Sequence, residues 1–185
     1  VLLPTLSFVA TGISILYQNA NPHFVDSEPH SLGVDPKKLK TYLSKICKIT
    51  AKGCLNIKTK RIIKCLIITH VFGHAGKIKE IKNVCKQFKL ILVEDAAEGL
   101  GTLYEGIHVG NFGSLSALSF NGNKIITTGG GGMILTNDEQ LAKKAKHIST
   151  TAKISHKWEF NHDEIGYNYR LPNLNAALGV AQMEF

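Results

Sequence analysis

Two short polar segments of this sequence contain the residue types that acid–base and covalent chemistry require. The segment at 94–98 reads EDAAE and follows the apolar run at 90–93. The segment at 119–124 reads SFNGNK and completes a second apolar run that begins at Leu115. Ligands of open α/β sheets bind beyond the carboxyl ends of the strands, so polar groups at these places are the first candidates for a site.

Each segment also has a plainer interpretation. Asp95 suits the N-cap of a following element as well as a ligand contact, and Lys124 suits an ordinary exposed lysine. Taken together, however, an acid at one strand end and a lysine at another favour one chemistry. A lysine amine forms a Schiff base with pyridoxal 5'-phosphate (PLP), and a carboxylate keeps the ring nitrogen of that cofactor protonated.

The sequence lacks the motifs of several other kinds of site. The segment TTGGGG at 127–132 is neither a P-loop nor a dinucleotide fingerprint, and its glycines indicate either a close backbone approach or a flexible turn. The sequence contains no G-x-S-x-G elbow, which disfavours a serine hydrolase of that type. His70 and His74 are four positions apart, but they flank Gly73 in a turn and no H-E-x-x-H pattern is present, so we predict no metal site.

The elements that must position these segments alternate between strand and helix. This alternation predicts an α/β fold with a mostly parallel sheet and helices on both faces. We predict strands at 1–3, 23–25, 62–71, 90–93, 115–120 and 133–136, and helices at 7–17, from Asp35-Pro36 onward, at 77–88 and at 138–147. The polar stretch at 48–60 is predicted to be a loop or a small excursion from the main fold, and the run at 62–71 reads as a strand buried on both faces.

Composition excludes several classes of protein. The chain has 185 residues, 44% of them hydrophobic, which excludes a disordered protein. Its net charge is +8, but the lysines are thinly spread without interleaved aromatic rings, so we predict no nucleic-acid partner. The apolar run at 65–71 is too short to cross a membrane, so no membrane partner is expected. Four cysteines without C-x-x-C spacing fit a cytoplasmic protein.

The length is that of one domain or most of one. The sequence opens directly on an apolar run at Val1 and stops at Phe185 within an amphipathic run. We therefore expect a piece of a longer protein, with no signal peptide at its start.

Five stretches carry a resemblance to a known family. In chain order they are VLLPTLSFVATG, THVFGH, VEDAAEGLG, SFNGNKIITTGGGGM and HDEIGYNYRLPNLNAALG. They resemble, in the same order, the motifs of the DegT/DnrJ/EryC1/StrS family, which comprises PLP-dependent sugar aminotransferases of fold type I. The resemblance extends from Val1 to Phe185 and implies action on a nucleotide-linked keto-sugar, with glutamate as the amino donor.

The resemblance implies a role for each matching residue. Lys124 would form the Schiff base with PLP and later shuttle the proton, and Asp95 would pair with the pyridinium nitrogen. Glu98 stands where the family has Gln or Glu near the phenolic oxygen of the cofactor.

Four further residues match positions of the family that hold the cofactor. Ser119 would bind the phosphate with Asn121 beside it, and Phe8 stands where the family places an aromatic ring against the cofactor. Asn168, in GYNYR, would reach the cofactor phosphate of the neighbouring subunit. The resemblance therefore implies a homodimer with shared active sites.

Two positions depart from the commonest family pattern. Four glycines stand where many members have an acidic residue, and Asn121 stands where many have histidine. Both variants resemble the branch that makes 4-amino sugars for legionaminic-acid-type surface glycans. Lys124 argues against the dehydratase-like members, in which histidine replaces the lysine.

The resemblance also implies a domain organisation. Residues 1–185 would be the central part of the PLP-binding large domain. A phosphate-binding Gly-Thr segment would lie upstream and a small C-terminal domain downstream, both outside this chain. The alternative is a non-catalytic or regulatory protein of the same fold that binds a ligand without turnover.

Overall fold

The structure, a computed structural model, describes residues 1–184. Its strands are β1 (Leu2–Pro4), β2 (His23–Val25), β3 (Cys47–Thr50), β4 (Gly53–Asn56), β5 (Ile62–Ile63), β6 (Cys65–Thr69), β7 (Ile91–Asp95), β8 (Leu103–Tyr104), β9 (Ile107–His108), β10 (Leu115–Ser119) and β11 (Gly132–Leu135). Its α-helices are α1 (Val9–Tyr17), α2 (Pro36–Ile46), α3 (Ile78–Phe88), α4 (Glu139–Ser149) and α5 (Asn173–Met183).

A six-stranded sheet in the order β11-β10-β7-β6-β1-β2 forms the centre of the fold. All neighbours pair in parallel except β11, which runs antiparallel to β10. The prediction of a mostly parallel sheet is confirmed. Because β6, β7 and β10 run in one direction, their carboxyl ends meet at one edge of the sheet.

One face of the sheet is covered by α2 and α3. Leu39 and Leu43 of α2, together with Ile81 and Phe88 of α3, are buried in one cluster with the sheet. As the sequence predicts, Asp35 caps α2 by accepting hydrogen bonds from the first-turn N–H groups, and a proline follows it.

The other face is covered less completely. Helix α1 packs there, with Gly12 lying beside Leu3 and with Ile15 buried. Residues of β6 alternate between buried and half-buried, and Ile91 and Ile134 remain 53% and 54% exposed. The expectation that the strand at 62–71 is buried on both faces is therefore wrong for the residues described.

The stretch at 48–60 is not only a loop. Strands β3, β4 and β5 form a small antiparallel sheet, and Gly53 at φ +116° allows the tight turn between β3 and β4. Cys54 and Ile63 pair across this sheet and are both buried, which divides the predicted strand at 62–71 into β5 and β6. Among residues 1–184, no helix has the length and apolar character needed to cross a membrane.

Candidate active site

Two adjacent carboxylates at the end of β7 face opposite sides of the sheet. Glu94 is fully buried on the face covered by α2 and α3, whereas Asp95 lies on the face of α1 and is half-buried. This separation follows from strand geometry, in which successive side chains point to opposite faces. The two carboxylates are adjacent in the sequence, but they lie in two different environments.

Both oxygens of the Asp95 carboxylate have a hydrogen-bond donor. The Thr11 hydroxyl donates to Oδ2 at 2.5 Å, and the Ala97 N–H donates to Oδ1 at 3.2 Å. The second contact is a turn contact, and no helix of the described chain begins at this point. Asp95 thus closes a turn and also presents a fixed carboxylate on the face of α1.

Thr11 is a site residue that was not among those expected from the sequence. Its side chain is 7% exposed, in the first turn of α1, one helical turn before the buried Ile15. A polar residue four positions before a buried apolar one lies on the inner face of the helix, so the spacing was an available signal.

Lys124 lies on the turn that follows β10. Its Nζ donates a hydrogen bond to Glu98 Oε1 at 3.3 Å, and its backbone N–H donates to the Asn121 carbonyl at 3.0 Å. The Lys124 side chain is 17% exposed and that of Glu98 is 41% exposed. The plain interpretation of an ordinary exposed lysine does not describe Lys124, since most of its side chain is buried and its amine has a carboxylate partner.

Ser119 and Asn121 lie at the same carboxyl end of β10. The Ser119 hydroxyl oxygen accepts from the Asn121 N–H at 3.3 Å, and Asn121 Nδ2 donates to Asn123 Oδ1 at 3.1 Å. Strand β10 pairs directly with β7. The structure therefore places Ser119 at the end of the strand next to Asp95, and Asn121 two residues beyond it.

The ring of Phe8 is 73% exposed at the N-cap of α1. This position is three residues before Thr11, whose backbone N–H donates to the Phe8 carbonyl at 3.1 Å. An exposed aromatic face beside a polar strand end is suited to stacking against a planar ligand.

The glycine run follows the turn of Lys124, and at two of its positions the backbone lies close against neighbouring atoms. A Cβ on Gly132 would collide with the Leu118 carbonyl oxygen, and one on Gly131 would lie 2.6 Å from Leu171 Cδ1. Helix α5 fixes this segment further, because Gln182 Nε2 donates to the Thr127 carbonyl at 2.6 Å.

Asn168 makes no contact with the other candidate site residues through its side-chain hydrogen bonds within residues 1–184. It is exposed and forms an isolated bridge with Thr150 in the segment after α4. Tyr167 and Tyr169 on either side of it stack with ring centroids 5.1 Å apart.

A buried pair supports the strand ends from the opposite face. His70 Nε2 lies 2.9 Å from Glu94 Oε2, and the Glu94 carboxylate also accepts from the N–H groups of Gly110, Phe112 and Gly113. Burial would raise the pKa of Glu94, but the hydrogen bonds from His70, Gly113 and Gly110 outweigh it and hold that pKa below its usual value.

The residues at this sheet edge suit a planar, anionic, electrophilic cofactor. Lys124 supplies a shielded amine, Asp95 a fixed carboxylate, and Phe8 an open aromatic face. Ser119 adds a hydroxyl beside the exposed backbone of Asn121. This combination is the one that PLP requires.

Comparison with known proteins agrees with this geometry. The sequence profile described as the DegT/DnrJ/EryC1/StrS aminotransferase family matches residues 1–185. The chain is 41% identical over 180 residues to the putative pyridoxal phosphate-dependent aminotransferase EpsN of Bacillus subtilis, covering 97% of this chain and 44% of that protein. It is 38% identical to the GDP-perosamine synthase of Escherichia coli O157:H7, covering 100% of this chain and 46% of that protein.

A solved structure shares the fold. The Helicobacter pylori aminotransferase PseC, involved in the biosynthesis of pseudoaminic acid, superposes with a TM-score of 0.83 at 27% identity, covering 99% of this chain and 45% of that one. The chain thus spans a little under half the length of the relatives that it matches.

Proposed function

The chain belongs to the DegT/DnrJ/EryC1/StrS aminotransferase family, and from this membership we propose that it forms the cofactor-binding part of a PLP-dependent sugar aminotransferase. One observation carries the proposal. The Lys124 side chain is only 17% exposed just beyond the carboxyl end of β10, and its amine is hydrogen-bonded to Glu98. Glu98 lies three residues beyond Asp95, which ends the neighbouring strand β7. A lysine and a fixed carboxylate at adjacent strand ends are the two groups that PLP chemistry requires.

When bound, PLP supplies an electron sink that stabilises negative charge on the substrate carbon. Lys124 Nζ would hold the cofactor and then move the proton at the reacting carbon. Glu98 Oε1 accepts a hydrogen bond from that amine and orients it. The negative charge of Asp95 would keep the ring nitrogen protonated, and hydrogen bonds from Thr11 and Ala97 hold its two oxygens in place.

The remaining candidates orient the cofactor. Phe8 would cover one face of the ring from the start of α1, and the Ser119 hydroxyl would bind the phosphate with Asn121 beside it. The segment 119–124 would then contribute both the phosphate contact and the lysine, so one local structure would set the distance between them.

We propose a nucleotide-linked keto-sugar as the substrate and glutamate as the amino donor, for surface polysaccharide or glycan synthesis. Two relatives support the sugar class by name, one as a GDP-perosamine synthase and one as an enzyme of pseudoaminic acid biosynthesis. The legionaminic-acid-type branch remains a prediction from Asn121 and the four glycines. The alternative of a non-catalytic member gains no support from these relatives.

We further propose a homodimer in which Asn168 contacts the cofactor phosphate of the partner. Exposed aromatic residues in the same segment of the chain support this arrangement. Trp158, Phe160 and Tyr169 are 76%, 75% and 76% exposed, and aromatic residues are enriched at protein–protein interfaces. The four free cysteines support a cytoplasmic location.

As to domain organisation, we propose that residues 1–185 are the central part of the large domain. Ile91 and Ile134 on the incompletely covered face of the sheet support packing against further segments of that domain. The proposed neighbours are an upstream Gly-Thr segment that binds phosphate and a downstream small domain.

Borohydride trapping of the full-length protein with PLP, followed by peptide mass mapping, tests the proposal. We expect a pyridoxyl adduct on Lys124. An adduct on another lysine would overturn the assignment of Lys124, and a folded protein without any adduct would favour the non-catalytic alternative. The same experiment on residues 1–185 alone shows whether the proposed upstream segment is needed for binding.

A further inference from the structure

Thr11 connects two of the proposed cofactor contacts. Its backbone N–H donates to the Phe8 carbonyl at 3.1 Å, and its hydroxyl donates to Asp95 Oδ2 at 2.5 Å. Phe8 and Asp95 are far apart in the sequence and lie on different elements. Thr11 is the residue that fixes one relative to the other.

The Thr11 hydroxyl donates its hydrogen bond to another element and not to its own helix. Serine and threonine within a helix commonly donate to a carbonyl of the preceding turn. Ser14, in the same helix, does so by donating to the Thr11 carbonyl at 2.8 Å. Thr11 instead donates across to β7, so its hydroxyl serves a long-range contact rather than its own helix.

A second contact fixes the same segment of the chain. The hydroxyl oxygens of Ser7 and Thr69 lie 3.0 Å apart, and Thr69 is in register with Asp95 on the neighbouring strand. Phe8 therefore lies between two hydroxyl contacts, one to the end of β6 and one to the end of β7. The exposed ring has a well-defined anchor although its own side chain is 73% exposed.

We propose that Thr11 is a positioning residue that sets the Asp95 carboxylate and the Phe8 ring in one geometry, so that both address the same planar ligand. Asp95 would meet the edge of the ligand ring at its nitrogen, and Phe8 would meet its face. A carboxylate that rotates freely would lose the ring nitrogen. The Thr11 hydroxyl holds one oxygen against that rotation, and the Ala97 N–H holds the other. This inference rests on the proposed function of Asp95 and Phe8.

The test measures PLP binding to the full-length apoprotein, together with the pH titration of the visible absorption of the bound cofactor. Thr11→Val keeps the size of the side chain and removes the donor, whereas Thr11→Ser keeps the hydroxyl. We expect Thr11→Val to raise the Kd for PLP about tenfold and to shift the pH titration. We expect Thr11→Ser to stay within about threefold of the wild type.

Two controls separate positioning from a general structural effect. Ser14→Ala removes a hydroxyl that bonds within the same helix and should leave both measurements unchanged. In an Asp95→Asn background, Thr11→Val should add little further loss, because the two residues act through one contact. Fully additive losses in this double-mutant cycle would overturn the inference.

The remaining outcomes are also decisive. If the wild type binds PLP and Thr11→Val matches it in both measurements, the inference about Thr11 fails while the proposed function stands. If the folded wild type does not bind PLP, both fail. Should Thr11→Val not fold, Thr11→Ser and Thr11→Cys decide, because a thiol is a weak donor. Equal PLP affinity in these two variants would then overturn the inference.

Discussion

The amine of Lys124 donates a hydrogen bond to the carboxylate of Glu98 at 3.3 Å, across 26 positions of sequence. Partly exposed pairs of this kind contribute little to stability, typically about 0–1 kcal/mol. The contact instead orients the amine at the edge of the sheet where the other candidates lie. We therefore expect loss of this contact to affect activity more than the free energy of unfolding.

We predict that Lys124→Ala removes the activity of the full-length protein and leaves its fold intact. Loss of the amine removes both the covalent attachment and the proton carrier, so turnover should fall by more than about 10³-fold. Lys143→Ala, at an exposed lysine paired with Glu139, is the matched control and should retain activity. Steady-state kinetics and circular dichroism check both, and measurable turnover by Lys124→Ala would contradict the prediction.

The buried pair of His70 and Glu94 leads to a stability prediction. Glu94→Ala leaves the imidazole and three backbone N–H groups without their acceptor, and such a loss typically costs about 3–5 kcal/mol. Chemical denaturation measures the free energy of unfolding. Glu105→Ala, at an exposed carboxylate, should change that free energy by less than about 0.5 kcal/mol. Equal effects of the two substitutions would show that the pair is not a structural support.

Acid stability should depend on Glu28, which is 3% exposed. The Ser31 hydroxyl is the main cause that lowers the pKa of Glu28 to about 2, with further hydrogen bonds from the N–H groups of Ser31 and His30. The folded pKa lies below the unfolded value of about 4.3. The contribution to stability is therefore complete above pH 4.3 and disappears as the pH falls towards 2.

The measurement for Glu28 is the free energy of unfolding as a function of pH. Glu28→Gln should be less stable than the wild type at neutral pH, and the difference should shrink on acidification. Ser31→Ala removes the main donor and should reproduce part of this change. A constant difference between Glu28→Gln and the wild type across the acid range would contradict the assignment.

The glycine run at 129–132 should respond unequally to alanine. At Gly132 a Cβ would collide with the Leu118 carbonyl oxygen, whereas at Gly130 it would meet open space. We predict that Gly132→Ala costs about 1–3 kcal/mol and that Gly130→Ala costs less than about 0.5 kcal/mol. Thermal unfolding of the two variants checks this contrast, and a tolerated Gly132→Ala would show that the turn is not closely packed.

Local signals in the sequence predicted much of the fold. The Asp35-Pro36 pair marked the start of α2, and short apolar runs marked β7 and β10. The stretch at 48–60 was misjudged because strands of two to four residues leave almost no periodicity. The antiparallel direction of β11 also has no local signature, since strand direction depends on the path of the connection.

The candidate site was predicted in part. Asp95 and Lys124 were found because they end apolar runs, and ligands bind at such ends. The spacing of Thr11 to Ile15 is a local signal, but the partnership of Thr11 with Asp95 is not, because the two lie 84 positions apart. The partnership of His70 with Glu94 likewise cannot be seen without the pairing of β6 and β7. Contacts of this kind depend on which strands are neighbours, and that information is not local.

The opposed orientations of Glu94 and Asp95 also limit how this protein can vary in length. Because successive strand residues point to opposite faces, deleting one residue of β7 before Glu94 would move Asp95 into the core position of Glu94 and Ala96 into the position of Asp95. The position beside His70 would then hold a shorter carboxylate, and the position beside Thr11 would hold none. Insertions and deletions in this strand should therefore be far more damaging than conservative substitutions.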